Sequence, residues 1–455
     1  MAVEQCVLHK DNQEIAEIFL KKSHYAFFVE KDNGTYIVYS SLSGAVILFS
    51  ENSYIERLRN VINSDEVLFD EQDDMLVLLK DKKILLDASV NESLLVRMLC
   101  EETVVRSRTL EIMLIVTKQC NFRCTYCGQP HEDKKMDIET MDLVVKFVRN
   151  QLKCFGYKDV TTTFFGGEPL LESGNIITYF EKLSHMLKEF ENVSHTAVIS
   201  SNGFLLTPNV FDKLASFCHI TYQICVDGMD YTHDKTRILC DGKGTWAKII
   251  DNINHMVTTD ATFTVILRSN FNDEIAESLD ELYDFVVRKF ALDPRIVILG
   301  VPIRDEGNED TPEILNEAEK VFYTTEIINM VRGKGLHCLN AAMYNKVGYR
   351  VCYASKPSFF IFDENLSVLK CSYVLDDNDN YIGRLAEGGI CEFNENKYAK
   401  WVYQDYLHDP NCSSCKGLPL CFGKKCPLLF IKNGTNGCNT DFIAFEIEEL
   451  IRNSY

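Results

Sequence analysis

Three cysteines stand close together in the sequence, at positions 120, 124 and 127. Thiolates at this spacing can bind one face of a cubane [4Fe–4S] cluster and leave its fourth iron without a protein ligand. That open iron could chelate the amino and carboxylate groups of a small molecule. The alternatives are a chance spacing or a structural zinc ion, which would need a fourth ligand close by. The spacing favours the cluster, with Cys120, Cys124 and Cys127 as its ligands.

Polar and glycine-rich motifs follow several predicted strands further along the chain. The candidates for a ligand pocket are Gly166-Gly167-Glu168-Pro169, Ser201-Asn202-Gly203, Asp227-Gly228 and Arg237, with Arg268 and Asn270 as weaker ones. Two adjacent glycines let the main chain approach a ligand closely, and a planar guanidinium suits a bidentate contact with a carboxylate. An ordinary turn and a solvated surface arginine are the alternatives.

A second group of cysteines lies near the C-terminus, where residues 338–455 hold nine of the eighteen cysteines. Its members with a ligand-like spacing are Cys352, Cys371, Cys412, Cys415, Cys421, Cys426 and Cys438. In a large chain without a secretion signal, clustered cysteines favour metal binding over disulfides. The metal could be zinc or iron–sulfur. The cysteines that fit no ligand pattern are expected to be buried as small apolar residues, although one of them could take part in the chemistry; they are Cys6, Cys100, Cys154, Cys218, Cys225, Cys240 and Cys391.

The first cysteine motif, with Tyr126 before its last cysteine, resembles the signature of the radical S-adenosylmethionine superfamily. The resemblance implies that the open iron binds S-adenosylmethionine and that Tyr126 covers the adenine. It further implies that Gly166, Gly167 and Glu168 hold the methionyl amino group. Ser201 and Asn202 would lie on the ribose side, with Asp227 nearby, and Arg237 would pair with the methionyl carboxylate. Cys225 stands where relatives usually carry serine.

The C-terminal cysteines resemble the SPASM extension of radical enzymes that modify peptides. By position, Cys412, Cys415, Cys421 and Cys438 would hold one auxiliary cluster, and Cys352, Cys371 and Cys426 the other. The second set lacks a fourth cysteine, so its cluster would have an open iron or use Cys338. Leu366 occupies the place of a common glycine before Cys371. Together with the first motif, the resemblance implies three [4Fe–4S] clusters.

Apolar patterns predict the elements that position these residues. Strand patterns at 113–117, 161–165, 196–200, 222–226, 262–268 and 296–300 alternate with helical patterns at 139–153, 175–190, 207–217, 246–258, 276–290 and 312–332. Six such repeats indicate an α/β protein with a partial (β/α)6 TIM barrel, whose chemistry lies at the C-terminal strand ends. Strands at 25–30, 35–39 and 45–49, a helix capped by Ser50, a helix at 71–80 and a strand at 84–86 suit a winged-helix-like α+β unit.

We therefore expect four regions along the chain. They are a leader-peptide recognition domain at 1–105, the radical barrel at 106–310, a bridging region at 311–345 and a Cys-rich iron–sulfur domain at 346–455. The first assignment rests on a resemblance to the element that binds leader peptides as an added strand. A structural cap on the barrel is the alternative.

Composition excludes several classes of function. The formal net charge of −20 argues against a nucleic-acid groove, which needs clustered lysine and arginine. No apolar run reaches the roughly 20 residues of a membrane span, and the N-terminus has no signal-peptide pattern. A cytoplasmic location without membrane contact is the expectation.

These features predict a radical S-adenosylmethionine maturase of a ribosomally made precursor peptide with a leader segment. Hydrogen abstraction followed by cysteine attack would leave a thioether of the sactipeptide or ranthipeptide type. A carbon–carbon or carbon–oxygen cross-link needs the same machinery. A sulfatase-maturating enzyme is the rival, although Ser372 replaces the aspartate that such relatives place after the cysteine matching Cys371. A silent electron-transfer or peptide-binding protein is the non-enzyme alternative. Flavodoxin or ferredoxin would supply electrons.

Overall fold

The N-terminal part of the protein is an α+β unit. A computed structural model describes residues 17–305, 311, 313–342, 346–404, 406 and 409–454, so residues 1–16 of the predicted first domain lie outside it. The unit contains β1 (Phe19–Lys22), β2 (Ala26–Glu30), β3 (Tyr36–Ser40), β4 (Val46–Phe49), α1 (Asn52–Asn63), β5 (Glu66–Leu68), α2 (Asp74–Asp81), β6 (Leu85–Asp87) and α3 (Glu92–Cys100). Its strands form two antiparallel sheets in the orders β5-β1-β6 and β2-β3-β4.

The predicted helix cap at Ser50 is wrong. The N-cap position is Glu51, whose backbone carbonyl accepts from Tyr54 and Ile55, and its side chain makes no capping bond. Phe49 is buried at the end of β4, and the exposed Ser50 lies between that strand and the N-cap residue. By contrast, α2 has a side-chain cap, since Asp73 accepts from the Leu76 amide.

The central sheet carries the six predicted strand–helix units. Its parallel strands are β7 (Thr109–Thr117), β9 (Asp159–Gly166), β10 (Ser194–Ser201), β11 (His219–Cys225), β13 (Phe263–Phe271) and β14 (Ile296–Pro302). Their helices are α4 (Ile138–Phe155), α5 (Ser173–Leu187), α6 (Pro208–Ala215), α8 (Trp246–Val257), α9 (Asp273–Phe290) and α10 (Glu317–Gly333). Residue 312, the predicted start of the last helix, lies outside the described residues. Curvature of this sheet into a partial barrel stays a prediction, as does the winged-helix comparison.

Alternation along β7 separates two apolar layers. Leu110, Ile112 and Leu114 pack in the large core against the helices, whereas Met113 and Ile115 pack on the opposite face. Side chains of a strand point alternately to its two faces, so the second set faces away from the helical layer.

A short antiparallel ladder joins two loops at the C-terminal strand ends. It consists of β8 (Phe122–Cys124) and β12 (Arg237–Leu239), which follows α7 (Asp230–Thr236), and it pairs Cys124 with Arg237. The cysteine motif and the predicted carboxylate-binding arginine are therefore neighbours.

The C-terminal region continues the central sheet. It contains β15 (His337–Cys338), β16 (Phe359–Phe362), β17 (Ser367–Leu369), β18 (Tyr381–Ala386) and β19 (Ile390–Phe393). Strand β16 pairs in parallel with β7, and β17 to β19 follow antiparallel, which gives eleven strands among the described residues. The helices are α11 (Leu339–Ala342), α12 (Glu395–Val402), α13 (Pro410–Ser413), α14 (Leu418–Cys421), α15 (Pro427–Asn433) and α16 (Thr440–Ser454). None of the described helices is both long enough and apolar enough to cross a bilayer.

Candidate active site

The three cysteines of the first motif lie in the loop between β7 and α4. Burial raises the pKa of Cys120 to about 11, while the Phe122 amide, whose nitrogen is 3.4 Å from its Sγ, stabilises the thiolate. Burial raises the pKa of Cys124 to about 12, and Arg237 opposes that rise. The Cys127 thiol is near enough to both to raise their pKa values further. Three adjacent thiols beside a guanidinium are a donor set that suits an iron–sulfur cluster.

Gly166 and Gly167 lie against the chain itself. A Cβ atom at Gly166 would lie 2.1 Å from the Thr117 carbonyl oxygen, and one at Gly167 would lie 2.1 Å from that of Gln119. Gly166 has a φ of +135°, which side chains rarely tolerate. The two glycines thus let the end of β9 dock onto the segment that leads into the cysteine loop.

Glu168 joins two strand ends. Its Oε1 accepts from the Ser201 hydroxyl at 2.8 Å, and its Oε2 accepts from the Asn202 amide at 2.7 Å. The carboxyl is fully buried, which raises its pKa to about 6, although these donors oppose the rise. Glu168 therefore orders the end of β10, and its contact with an amino group of a ligand stays a prediction.

A buried polar network contains Tyr126, Asp227 and Arg237. The Tyr126 hydroxyl donates to Asp227, and Arg237 Nη1 donates to the Tyr126 oxygen at 2.7 Å. Asn270 Nδ2 joins the same oxygen at 3.1 Å, so this weaker candidate does lie at the site. Arg237 Nε is buried without a hydrogen-bond partner in the described part of the chain. An unpaired buried donor beside the cysteines fits an anionic ligand group.

Two further residues border this network. Cys225 ends β11 opposite Arg268. Burial raises the pKa of Tyr126 well above its usual range, and the neighbouring Cys225 adds to that rise. Asn202 Nδ2 donates to Asn121 Oδ1 at 2.8 Å and lies 4.0 Å from the Cys120 sulfur. Sequence reasoning missed Asn121, which stands inside the motif.

Several of the predicted auxiliary cysteines are near enough to influence one another's pKa, and their service as two ligand sets stays a prediction. Cys371 and Cys426 both raise the pKa of Cys352, which burial raises most, to about 11. Asn380 fixes the Cys371 loop, because its Oδ1 accepts from the Cys371 amide at 2.8 Å and its Nδ2 donates to the Cys371 carbonyl at 2.8 Å. Leu366 has a φ of +64°, which explains why glycine suits this position.

The other group contains Cys412, Cys415, Cys421 and Cys438. Burial raises the pKa of Cys412 to about 12 and that of Cys421 to about 11, and Cys438 adds to both rises. Asn436 Nδ2 lies 3.5 Å from the Cys412 sulfur. No set of three or more His, Cys, Asp or Glu residues among those described is arranged to hold a single metal ion.

Cys338 lies on β15. Its sulfur is 4.0 Å from Asn340 Oδ1, and it packs against the core that contains Ile328 and Leu420. Its service as a fourth cluster ligand stays a prediction.

Part of the chain is similar to a known family. Residues 114–286 match the model of the radical SAM superfamily. The chain is 24% identical to a cysteine-type anaerobic sulfatase-maturating enzyme of Clostridium novyi, over 67% of this chain and 84% of that protein. It is 21% identical to the radical SAM cyclopropyl synthase TigE of Paramaledivibacter caminithermalis, over 90% of this chain and 89% of that protein.

A solved structure shows the same overall fold. Streptococcus suis SuiB, bound to the precursor peptide SuiA, superposes with a TM-score of 0.51 at 14% identity, covering 91% of this chain and 97% of that one. The resemblance drawn from the cysteine motif is confirmed, since residues 114–286 match the radical SAM superfamily.

Proposed function

We propose that the protein is a radical S-adenosylmethionine enzyme that cross-links a ribosomally made precursor peptide. The observation that carries the proposal is the meeting of the three-thiol loop with the Tyr126–Asp227–Arg237 network at the ends of parallel strands. The precursor peptide bound to Streptococcus suis SuiB supports a peptide as the substrate class.

Cys120, Cys124 and Cys127 would hold the first [4Fe–4S] cluster. Arg237, with its unpaired buried Nε, would bind the methionyl carboxylate of S-adenosylmethionine, and Tyr126 would shield the adenine. When bound, the cluster and S-adenosylmethionine would supply the radical chemistry that removes hydrogen from the peptide. A flavodoxin or ferredoxin would provide the electron.

Two auxiliary clusters complete the proposal. Cys412, Cys415, Cys421 and Cys438 would hold one, and Cys352, Cys371 and Cys426 the other. The three-cysteine set leaves room for a substrate thiolate at an open iron, which favours a thioether product. An auxiliary cluster would also accept the electron left over from cross-linking.

The N-terminal unit would bind the leader segment at the edge of β4 that pairs with no strand among the described residues. A groove beside this strand is lined by Leu48, Tyr54, Met75 and Leu78, among others. Leu48 and Leu78 are exposed there. Exposed apolar side chains along an unpaired strand edge suit a peptide that adds as a further strand.

Two alternatives are favoured by specific relatives. The Clostridium novyi enzyme favours formylglycine formation, but Ser372 cannot serve as the carboxylate base expected after Cys371. The cyclopropyl synthase favours a carbon–carbon bond. Both alternative reactions would use the same radical site. They would differ in the role of the C-terminal cysteines.

Mass spectrometry of the peptide product separates these outcomes. The reconstituted, reduced protein is incubated with S-adenosylmethionine and peptides encoded by short reading frames beside its gene. A thioether removes a pair of hydrogen atoms, keeps the sulfur and leaves no free thiol at that cysteine. Loss of the sulfur would identify formylglycine formation, and a free thiol in a cross-linked product would identify a carbon–carbon or carbon–oxygen bond. No change in any peptide would contradict the maturase proposal.

A further inference from the structure

The buried side chain of His233 lies between two residues of the proposed ligand pocket. Its Nδ1 accepts from the Asp227 backbone N–H at 3.2 Å, and its Nε2 lies 3.0 Å from the Thr245 hydroxyl oxygen. The Thr245 hydroxyl in turn donates to the Arg237 backbone carbonyl at 2.7 Å. His233 and Asp227 are fully buried, and Thr245 and Arg237 are nearly so. An unbroken chain of hydrogen bonds therefore joins Asp227 to Arg237.

The groups at the two ends of this chain fix the direction of every hydrogen bond in it. A backbone N–H can only donate, so Nδ1 of His233 carries no proton, and the neutral ring carries its proton on Nε2. A backbone carbonyl can only accept, so the Thr245 hydroxyl gives its one proton to Arg237 and accepts from the imidazole. Burial lowers the pKa of His233 well below its usual value, and the positive charge of Arg237 lowers it further. The ring therefore stays neutral.

The next residue, Asp234, fixes the hydroxyl end of the chain. Its Oδ1 accepts from the backbone N–H groups of Thr245 and Trp246, at 2.8 and 3.0 Å, where α8 begins. The Trp246 indole donates to the carbonyl of Gly228, which directly follows Asp227, at 3.2 Å. The start of α8 is thus tied both to α7 and to the loop that follows β11.

Asp227 and Arg237 are also joined through their side chains. Asp227 Oδ1 accepts from the Asn270 backbone N–H at 2.8 Å, and its Oδ2 accepts from the Tyr126 hydroxyl. Arg237 Nη1 donates to the same hydroxyl oxygen at 2.7 Å. The two residues are therefore linked twice, once between side chains by Tyr126 and once between backbones by His233 and its threonine partner.

We propose that His233 and Thr245 are positioning residues that hold Arg237 in place for the methionyl carboxylate of S-adenosylmethionine. The inference rests on the proposed function, because it assumes that Arg237 binds this carboxylate. Hydrogen bonds weaken steeply as their geometry departs from the ideal, so the guanidinium must be held accurately to bind a carboxylate well. Tyr126 holds the Nη1 end of Arg237, and Thr245 holds its backbone. No proton is transferred along the chain, which acts by position alone.

Equilibrium binding of S-adenosylmethionine to the reconstituted protein tests this role. Thr245→Val keeps the shape of the side chain but removes the donor to the Arg237 carbonyl. It should weaken binding roughly two- to tenfold, the contribution of one hydrogen bond between uncharged groups. Thr245→Ser keeps the hydroxyl and should restore most of the affinity. His233→Phe keeps a buried ring without its nitrogens and should weaken binding at least as much, with unchanged iron per chain in every variant.

Combining Thr245→Val with Arg237→Gln separates positioning from a general loss of packing. If Thr245 acts through Arg237, its replacement should change the affinity little in the Arg237→Gln protein, because the group that it positions is gone. Thr162→Val is the matched control. Thr162 is fully buried on β9, and its hydroxyl oxygen also lies 3.2 Å from a histidine ring nitrogen, Nε2 of His195. This control should leave the affinity unchanged.

Equal affinities for Thr245→Val and the unaltered protein would overturn the inference. An equal fold loss with and without Arg237→Gln, or in Thr245→Ser and Thr245→Val, would overturn it as well. If Thr245→Val lost its iron, His233→Phe measured with and without Arg237→Gln would decide by the same criteria. An unaltered protein that fails to bind S-adenosylmethionine would instead contradict the proposed function.

Discussion

Arg237 has a buried donor atom that suits an anionic ligand. Its Nη1 is satisfied by Tyr126, but its Nε is buried and has no acceptor among the described residues. A buried donor left unpaired costs roughly 1–3 kcal/mol. A ligand carboxylate would remove that cost and would add a charge-assisted hydrogen bond.

Replacing Arg237 with glutamine should weaken S-adenosylmethionine binding. Loss of a charge-assisted contact of about 1.5–3 kcal/mol corresponds to roughly a 10- to 100-fold weaker affinity. Equilibrium binding to the reconstituted protein measures the effect, and iron content should not change. Lys243→Gln is the control, because Lys243 is exposed on the following loop and its ion pair among the described residues is with Asp241. Equal affinities for Arg237→Gln and the unaltered protein would remove Arg237 from the pocket.

At the scale of elements, the β4 edge has a testable role. Leu48→Asp places a charge in the apolar groove and should lower precursor-peptide affinity several-fold, because desolvating a carboxylate is unfavourable. S-adenosylmethionine cleavage without peptide should persist. Leu94→Asp, an equally exposed position on α3 outside the groove, should leave binding intact. If both variants bind the peptide as tightly as the unaltered protein, the leader lies elsewhere.

The central strands could be predicted from sequence because each has its own apolar pattern and is followed by a helix. The continuation of the sheet through β16 could not. Residues 359–362 are all buried, but their partner is β7, some 250 residues earlier. Such a pairing depends on packing across the whole chain, and no local pattern encodes it.

The candidate site, like the fold, could be predicted only in part from the sequence. Cysteine spacing was enough to propose the ligand groups, which stay predictions. The residues that hold the loops were missed, including Asn380, Asn436 and Thr245. These side chains bond to backbone atoms or sulfurs, and amides and hydroxyls in loops carry no spacing signal. The two adjacent glycines predicted close approach of the main chain to a ligand. In the structure, the close neighbour of Gly166 and Gly167 is the chain's own backbone.

At the scale of the whole molecule, the N-terminal unit rests on the loop that carries Cys412 and Cys415. The Ser41 hydroxyl donates to the Lys416 carbonyl at 2.7 Å, and His24 Nε2 lies 3.1 Å from the Ser414 carbonyl oxygen. Tyr25 and Leu42 share an apolar core with both cysteines. The unit proposed to bind the leader thus directly contacts the loop that carries two of the proposed auxiliary ligands.

Removing iron should therefore loosen both regions together. Metal ligation contributes folding energy to a loop-rich segment, and that segment supports the N-terminal unit. Hydrogen exchange should rise at residues 409–421 and also at 20–42 after chelation, with little change in α5 as an internal reference. Faster exchange at 409–421 alone would show that the N-terminal unit holds its position without the cluster.

The central claim is that Cys120, Cys124 and Cys127 bind the cluster that cleaves S-adenosylmethionine, while the C-terminal cysteines bind separate iron. The most direct test compares the unaltered protein with the variant in which all three become alanine, both reconstituted and reduced, by 5′-deoxyadenosine formed and iron per chain. We expect 5′-deoxyadenosine from the unaltered protein alone and residual iron in the variant. Failure of the unaltered protein to form it, even with peptide, or a variant without iron, would contradict the account.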